Sequence, residues 1–313
     1  MAITNIPTAD HFEQAAKTAF FAGWNDLLHL ISDFEHHRER DYSAVDDWEI
    51  ERKRYYDHCK VELEKICSWA GQATELALKS KICAVSPYLL LLGTDPRFKA
   101  SGGDIDFTDL RTLDATDLVT TVNSVCPKAM SPQFTERFNR LRQWRNKIVH
   151  QGTSNAIFQP KQMAELLANQ YAELWPEKQF LSDWMAYISG TRFSFFHDGD
   201  WSTPHMELAE MLDCFYETLG SGQIEALTGR KKGARRYVCH ECYYEGSLGR
   251  GAVSESEFRT AFLISQTKLR CLLCHDDYTV ERRMCRSCEG DVISTSDDFG
   301  GNCHTCGATQ RAA

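Results

Sequence analysis

The chain has 313 residues, enough for two domains, and its 42% hydrophobic and 25% charged residues are ordinary for a soluble globular protein. No apolar run approaches the roughly 20 residues of a membrane-spanning helix, and no basic region precedes an apolar one at the N-terminus, so we expect neither a membrane anchor nor a secretory signal. Residues 1–228 carry 22 basic and 33 acidic side chains, and residues 229–313 carry 13 and 11. This balance excludes a general polyanion binder, so any nucleic-acid contact must use a local positive patch.

Helical periodicity dominates the first 228 residues and predicts a mainly α domain. Apolar residues recur at helical spacing in several segments. These segments are 8–37, 46–86, 110–125, 162–175, 178–188 and 205–219. The segment 46–86 is predicted to form one or two helices ended by Pro87. Residues 94–107 are predicted to be an exposed loop and residues 190–204 irregular, with a short strand expected at most at 192–196.

The helix predicted at 131–150 is unusual because a cation interrupts its apolar face. Ser131 and Pro132 suit the N-cap and the first turn. Arg145 lies within a stripe formed by Phe134, Phe138, Leu141 and Ile148. A buried guanidinium needs a partner. We therefore expect this face to meet a phosphate or a second subunit.

The same helix ends in Arg145-Asn146-Lys147-Ile148-Val149-His150. This stretch resembles the signature of the HEPN superfamily (higher eukaryotes and prokaryotes nucleotide-binding): Arg, then Asn, Asp or His, then three residues, then His. Arg-x4-His occurs four times in the chain, but only Arg145 is followed by Asn on an amphipathic helix. The segment Glu75 to Lys79 also looks like the Glu-x-x-x-Lys found on an earlier helix of that superfamily. The resemblance covers about residues 45–190.

The resemblance implies a helical bundle that dimerises and cleaves RNA without a metal. Histidine exchanges protons near neutral pH, so His150 would activate a ribose 2′-hydroxyl or protonate the leaving oxygen. Arg145 would brace the phosphoryl oxygens, and Asn146 would orient His150 or the phosphate. Glu75 and Lys79 are weaker catalytic candidates, because at i, i+4 they also suit a surface ion pair. In an ideal helix Arg145 and His150 point about 140° apart, so they converge only if the helix loosens near Gly152 or two copies meet.

The sequence becomes rich in cysteine after a basic, Gly-rich segment at 229–236. This segment predicts a linker between a helical domain at 1–228 and a module at 237–313. The module contains four Cys-x-x-Cys pairs: Cys239/Cys242, Cys271/Cys274, Cys285/Cys288 and Cys303/Cys306. Two such pairs complete a tetrahedral metal site, so the module resembles zinc ribbons with two structural Zn²⁺. Iron in a rubredoxin-like site is the main alternative. Sequential pairing is the simplest arrangement, and an interleaved one stays open.

The histidines beside ligand cysteines, His240, His275 and His304, are interpreted as bystanders. The other five cysteines suit reduced core positions, which indicates a cytoplasmic protein. They are Cys59, Cys67, Cys83, Cys126 and Cys214.

The sequence is compatible with two functional hypotheses. The first is an RNA endonuclease of the toxin–antitoxin or antiviral kind, which leaves 2′,3′-cyclic phosphate ends. Its ribbons would recognise the substrate, an antitoxin or a trigger protein. The second is a non-catalytic scaffold that binds a nucleic acid or a protein. DNA cleavage is not expected, because no carboxylate cluster for catalytic metals is evident.

Overall fold

The computed structural model describes residues 2–39, 45, 47–92, 103–151, 159–177, 179–195, 203–248 and 254–310. The chain is mainly helical, with a small antiparallel sheet and two cysteine clusters near the C-terminus. It divides into two compact units, residues 1–176 and 177–313. No helix in the described part of the chain is long and apolar enough to cross a membrane.

The first unit is a helical bundle built around one long helix, α3. Its helices are α1 Ala9–Glu39, α2 Trp48–His58, α3 Lys60–Val85, α4 Ala115–Val125, α5 Pro132–Gln151 and α6 Pro160–Leu174. Helix α3 packs along α1 and against α4, α5 and α6. Aromatic rings of α1 and α6 fill the space between these helices, with Phe20 and Phe21 against Tyr171. Burial of such large side chains supplies most of the bundle's stability.

The predicted helices of this unit are confirmed, and one correction concerns the loop predicted at 94–107. The segment 46–86 forms two helices, with Cys59 between α2 and α3. Residues 94–102 of the predicted loop lie outside the described residues. Strand β2, Ile105–Asp106, pairs in parallel with β1, Ile3–Thr4. Ile105 and Phe107 are buried, so this end of the predicted exposed loop belongs to the core.

Helix α5 carries the motif and begins as the sequence predicts. The Ser131 hydroxyl accepts a hydrogen bond from the backbone N–H of Phe134 at 3.0 Å. Phe134, Phe138 and Leu141 are fully or almost fully buried. The helix then continues without interruption through His150 to Gln151. The predicted loosening at Gly152 lies outside the described residues.

The second unit combines helices with a four-stranded antiparallel sheet. Its helices are α7 Phe180–Ser189, α8 Arg192–Phe195, α9 Pro204–Thr218, α10 Ser221–Thr228 and α11 His240–Ser247. The sheet has the order β3-β4-β5-β6, from strands Ala261–Leu263, Lys268–Cys271, Asp277–Arg282 and Val292–Ser294. Helix α9 packs against both α7 and α11. Phe180, Trp184 and Phe215 form the aromatic contact between α7 and α9.

Two expectations about this unit differ from the structure. Residues Arg192–Phe195 form a helical turn and not a strand, and the Ser194 hydroxyl donates to the Thr191 carbonyl at 2.7 Å within it. The predicted domain boundary at residue 228 falls inside the second unit. Its basic segment is packed, because Arg236 lies 4.1 Å over the Tyr216 ring and Lys232 Nζ donates to the Leu219 carbonyl at 2.8 Å.

Candidate functional site: a helix-borne motif and two four-cysteine clusters

Arg145, the cation within the apolar stripe of α5, has a partner on α3. Its guanidinium forms an ion pair and a short hydrogen bond with the Glu75 carboxylate. The Arg145 side chain is 34% exposed and that of Glu75 is 18% exposed. Glu75 thus supplies the counter-charge that a partly buried guanidinium requires, while about a third of the Arg145 side chain remains exposed to solvent.

A glycine on α3 provides the space in which Arg145 lies. Gly71 is one helical turn before Glu75, on the same face of α3. A Cβ atom built at Gly71 would stand 3.3 Å from Arg145 Cδ and 3.7 Å from Arg145 Cβ. The arginine stem therefore runs directly over the glycine. Sequence reasoning missed Gly71, whose one signal is a glycine inside a helical pattern, where it costs about 1 kcal/mol relative to alanine.

The other two motif residues face solvent. Asn146 and His150 are both exposed and, at i and i+4, lie on one side of α5. Val149, also on the last turn of the helix, is 64% exposed. Because α5 is regular through Gln151, Arg145 and His150 project about 140° apart within one chain. One copy of the chain therefore presents Arg145 and His150 in different directions.

Lys79, the weaker candidate, does not pair with Glu75. Glu75 is bonded to Arg145 instead, and Lys79 is half-buried on the next turn of α3. Among the described residues, Lys79 has no hydrogen-bond or ion-pair partner. The suggested surface ion pair between Glu75 and Lys79 is therefore absent from this part of the chain.

Two of the other three Arg-x4-His spacings belong to structural positions. His240 of the Arg235 pair is only 3% exposed. Arg270 of the His275 pair donates from two nitrogens to Asp277, at 2.6 and 2.8 Å. The Arg192 pair ends at His197, outside the described residues. Of the spacings described in full, only Arg145/His150 lies on a single helix with its histidine exposed.

The eight cysteines of the Cys-x-x-Cys pairs gather into two tetrads in sequential order. The sulfur atoms of each tetrad lie within 4.8 Å of one another. One tetrad is Cys239, Cys242, Cys271 and Cys274, and the other is Cys285, Cys288, Cys303 and Cys306. The pairing left open by the sequence is thus sequential and not interleaved.

Distances within the tetrads fit a tetrahedral metal site. The Sγ atoms of Cys239 and Cys274 are 3.7 Å apart, and those of Cys288 and Cys303 are 3.8 Å apart. Four thiolates at about 2.3 Å from one metal ion would stand about 3.8 Å from one another, whereas a disulfide requires about 2.05 Å. Each tetrad could therefore hold one metal ion.

Backbone and side-chain donors point at the sulfur atoms. The N–H groups of Leu273 and Ser287 donate to Cys271 and Cys285 at 3.2 and 3.3 Å. The hydroxyl groups of Tyr278 and Thr260 lie 3.1 Å from Cys239 and Cys271, and sequence reasoning did not identify either residue. Such hydrogen bonds favour the thiolate that binds a metal.

The pKa of Cys285 shows the effect of these donors. Burial raises the pKa of this thiol, but hydrogen bonds from the N–H groups of Ser287 and Cys288 and from neighbouring thiols outweigh burial and lower it to about 7. A thiol with a pKa near neutrality is readily deprotonated for metal binding.

Two of the bystander histidines connect the tetrads. The rings of His240 and His304 are buried, with centroids 4.5 Å apart. His304 Nδ1 donates to the Val238 carbonyl at 2.8 Å, and the Val238 N–H donates to the His304 carbonyl at 2.7 Å. Burial, with a smaller contribution from His304, lowers the pKa of His240 to about 3. His240 therefore serves as an uncharged packing residue at neutral pH.

Comparisons with known proteins give no relative from which a function can be transferred. The chain matches no model of a protein family, no curated protein and no solved structure.

Proposed function

We propose that this chain is a metal-independent RNA endonuclease of the HEPN type. The observation that carries the proposal is the pairing of two motif residues chosen independently from the sequence, Glu75 and Arg145, beside exposed Asn146 and His150. An arginine that is partly open and held by a carboxylate is oriented for an anionic ligand. An exposed histidine that lies near such an arginine when two copies of the chain come together is suited to proton transfer.

The chemistry follows from these residue types. His150 would take the proton of a ribose 2′-hydroxyl, or give one to the departing 5′-oxygen. The 2′-oxygen attacks the adjacent phosphorus, and the bond from phosphorus to the 5′-oxygen breaks. Arg145 would stabilise the negative charge that grows on the phosphoryl oxygens, with Asn146 orienting the phosphate or His150. The products end in a 2′,3′-cyclic phosphate and a 5′-hydroxyl, and the reaction needs no metal.

A homodimer is part of the proposal. Because Arg145 and His150 point apart in one copy, a phosphate would meet Arg145 of one copy and His150 of a second. The exposed Val149 beside His150 supplies apolar area that such contact would bury. We further propose a cytoplasmic toxin or antiviral effector, controlled by an antitoxin or a trigger protein.

We assign Zn²⁺ to both tetrads, as structural ions. Four thiolates in a tetrahedron are the usual ligands of structural zinc, and the two Cys-x-x-Cys knuckles of each tetrad fit this type. In the proposed enzyme the metal-bearing unit recognises the substrate or a partner, while the first unit cleaves.

A non-catalytic scaffold is the second candidate. The ion pair of Arg145 with Glu75 favours it, because an arginine neutralised by a carboxylate also serves simply to join two helices. In this case Asn146 and His150 are surface residues without a chemical role.

RNA cleavage in excess EDTA separates these candidates. Wild-type protein is compared with His150→Ala, Arg145→Ala and a control, Arg140→Ala, which removes an exposed arginine of the same helix that pairs with Glu136. Folding, dimer formation and retained metal are checked in each. We expect cleavage with cyclic phosphate ends by wild type and Arg140→Ala, and a loss of at least about a hundredfold in the other two.

Other results decide against the enzyme. Cleavage that persists in His150→Ala or Arg145→Ala removes this motif from the mechanism. Folded wild-type protein that cleaves no RNA in the presence of a complete transcript pool favours the scaffold.

A further inference from the structure

Five cations lie within eight residues of the second unit, at the segment predicted to be a linker. The basic segment, residues 229–236, contains Arg230, Lys231, Lys232, Arg235 and Arg236 and no acidic residue. It follows α10, where Gly229 ends the helix in the left-handed conformation with φ +70°. The segment then leads into Tyr237, which exchanges two backbone hydrogen bonds with Ala261. Both ends of the basic segment are therefore fixed.

Aromatic rings lie against Arg230 and Arg235, and among the described residues neither guanidinium forms an ion pair with a carboxylate. The guanidinium of Arg230 lies 5.8 Å from the centroid of the Phe262 ring. That of Arg235 lies 5.3 Å from the centroid of its neighbour Tyr237 and donates to Thr305 Oγ1 at 3.3 Å. A ring attracts the cation without neutralising its charge, and it leaves the N–H edge of the guanidinium free to donate.

Little negative charge offsets these cations. Within the described part of the chain, Asp213 is the one carboxylate in an ion pair with the basic segment, 3.6 Å from Arg236. Asp213 is 83% exposed, so water screens that pair. Lys231 and Arg235 are exposed. The segment therefore keeps most of its positive charge.

The arginines of the sheet contrast with those of the basic segment. Arg270 is bonded to Asp277, Arg282 to Asp291 and Arg283 to Glu281. Each guanidinium already holds a carboxylate and adds little net charge to the surface. Among the described residues of this unit, the basic segment is the densest run of cations, with five in eight residues and one exposed carboxylate paired to it.

We infer that the basic segment binds the phosphate backbone of single-stranded RNA. A run of fixed guanidinium and ammonium groups suits a repeating polyanion, and the planar fork of arginine matches a phosphate. An acidic protein is a poorer fit, because the segment exposes no large apolar side chain of the kind that fills the centre of a protein interface. The choice of RNA rests on the proposed function; the presence of an anion-binding surface does not.

The direct test measures RNA binding without cleavage. The full-length, metal-loaded chain carries His150→Ala throughout, and a fluorescent uridine oligonucleotide is titrated at several salt concentrations. The test variant adds Lys231→Ala and Arg235→Ala. The matched control adds Arg282→Ala and Arg283→Ala, which also removes two cations from the same unit. Metal content and thermal unfolding confirm that each protein is folded.

We expect the test variant to bind RNA at least about tenfold more weakly than its parent, and the control within about twofold. The slope of log affinity against log salt should fall by about 1.4 in the test variant, since each phosphate contact on a single strand contributes about 0.7. Equal losses in test and control, or no RNA binding by the parent, overturn the inference. Stronger binding of polyglutamate than of RNA by the parent also overturns it, in favour of an acidic protein.

Failure of the RNA-binding inference can be distinguished from failure of the proposed ribonuclease activity. If wild-type protein cleaves RNA but the two basic-segment substitutions change neither binding nor KM, the surface is rejected and the enzyme stands. If the substitutions weaken RNA binding but wild-type protein never cleaves, the surface stands and the proposed enzyme is rejected.

Discussion

Glu75 on α3 and Arg145 on α5, 70 residues apart in the chain, form an ion pair that joins the two helices at the motif. The same helix α5 has a second pair of this kind near its start, where Arg137 bonds Glu173 of α6 at 3.0 Å. Both pairs are largely shielded from solvent. The side chains are 18% to 34% exposed in the Glu75–Arg145 pair and 20% to 21% exposed in the Arg137–Glu173 pair. Because the two pairs are alike, the Arg137–Glu173 pair can serve as a structural control for the role proposed for Glu75–Arg145.

We predict that Glu75→Gln lowers the rate of RNA cleavage by about 10-fold to 100-fold, because Arg145 loses the charge that orients it. Stability should fall by only about 1 kcal/mol, since the pair is partly exposed. Chemical denaturation and single-turnover cleavage measure the two effects. Glu173→Gln is the control. It also removes a carboxylate bonded to Ser131 and Arg137, so it should destabilise at least as much and leave cleavage nearly unchanged. Similar rate losses in both variants would make Glu75 merely structural.

Gly71→Ala should separate stability from activity. The new methyl group would stand 3.3 Å from Arg145 Cδ, so the arginine stem must shift by a few tenths of an ångström. Alanine favours a helix over glycine by about 1 kcal/mol, which offsets the crowding because the arginine stem is flexible. We expect the free energy of unfolding to stay the same or rise, while cleavage falls several-fold. A variant that is as active as wild type would show that the position of Arg145 over Gly71 does not matter.

The helices of the first unit and the eight clustered cysteines follow from local pattern. Apolar spacing marks α1, α3 and α5, and two residues between cysteines mark each knuckle. The pair Glu75–Arg145 does not follow, since it depends on how α3 and α5 lie side by side. No local signal relates residues 70 positions apart. Gly71 is informative only once Arg145 is seen above it.

The linker predicted at 229–236 shows a second limit of prediction from sequence. Glycines and basic side chains are typical of exposed linkers, so this composition predicts that the helical domain ends at residue 228. The structure has rings beneath the cations, and Tyr216 and Phe262 come from an earlier helix and a later strand. Composition describes the side chains of a segment but not the surface that supports them. The helices from Phe180 onwards belong to the same compact unit as the two cysteine tetrads.

The two tetrads, when loaded with the proposed zinc ions, should release metal at different rates. In the first, only Cys274 is half-buried, whereas in the second both Cys288 and Cys306 are. A chelator reaches exposed sulfur more readily, so we expect two kinetic phases of equal size. A chromogenic zinc chelator follows the release. Cys306→Ser should abolish the fast phase and Cys274→Ser the slow one. A single phase, or the reverse assignment, would show that sulfur exposure does not control release.

The proposed active site needs two copies of the chain, and mixed dimers test that requirement. Arg145→Ala protein keeps His150, and His150→Ala protein keeps Arg145, so neither homodimer has a complete set. A heterodimer of the two has one complete set, drawn from both copies. After the proteins are unfolded together and refolded with zinc, about half of the dimers are heterodimers by random pairing of a twofold interface. We expect the mixture to regain a substantial part of wild-type cleavage, in proportion to the heterodimer fraction measured by native mass spectrometry. If the mixture stays inactive although heterodimers are present, Arg145 and His150 of a single copy must act together, and α5 would have to unwind between these two residues to allow it.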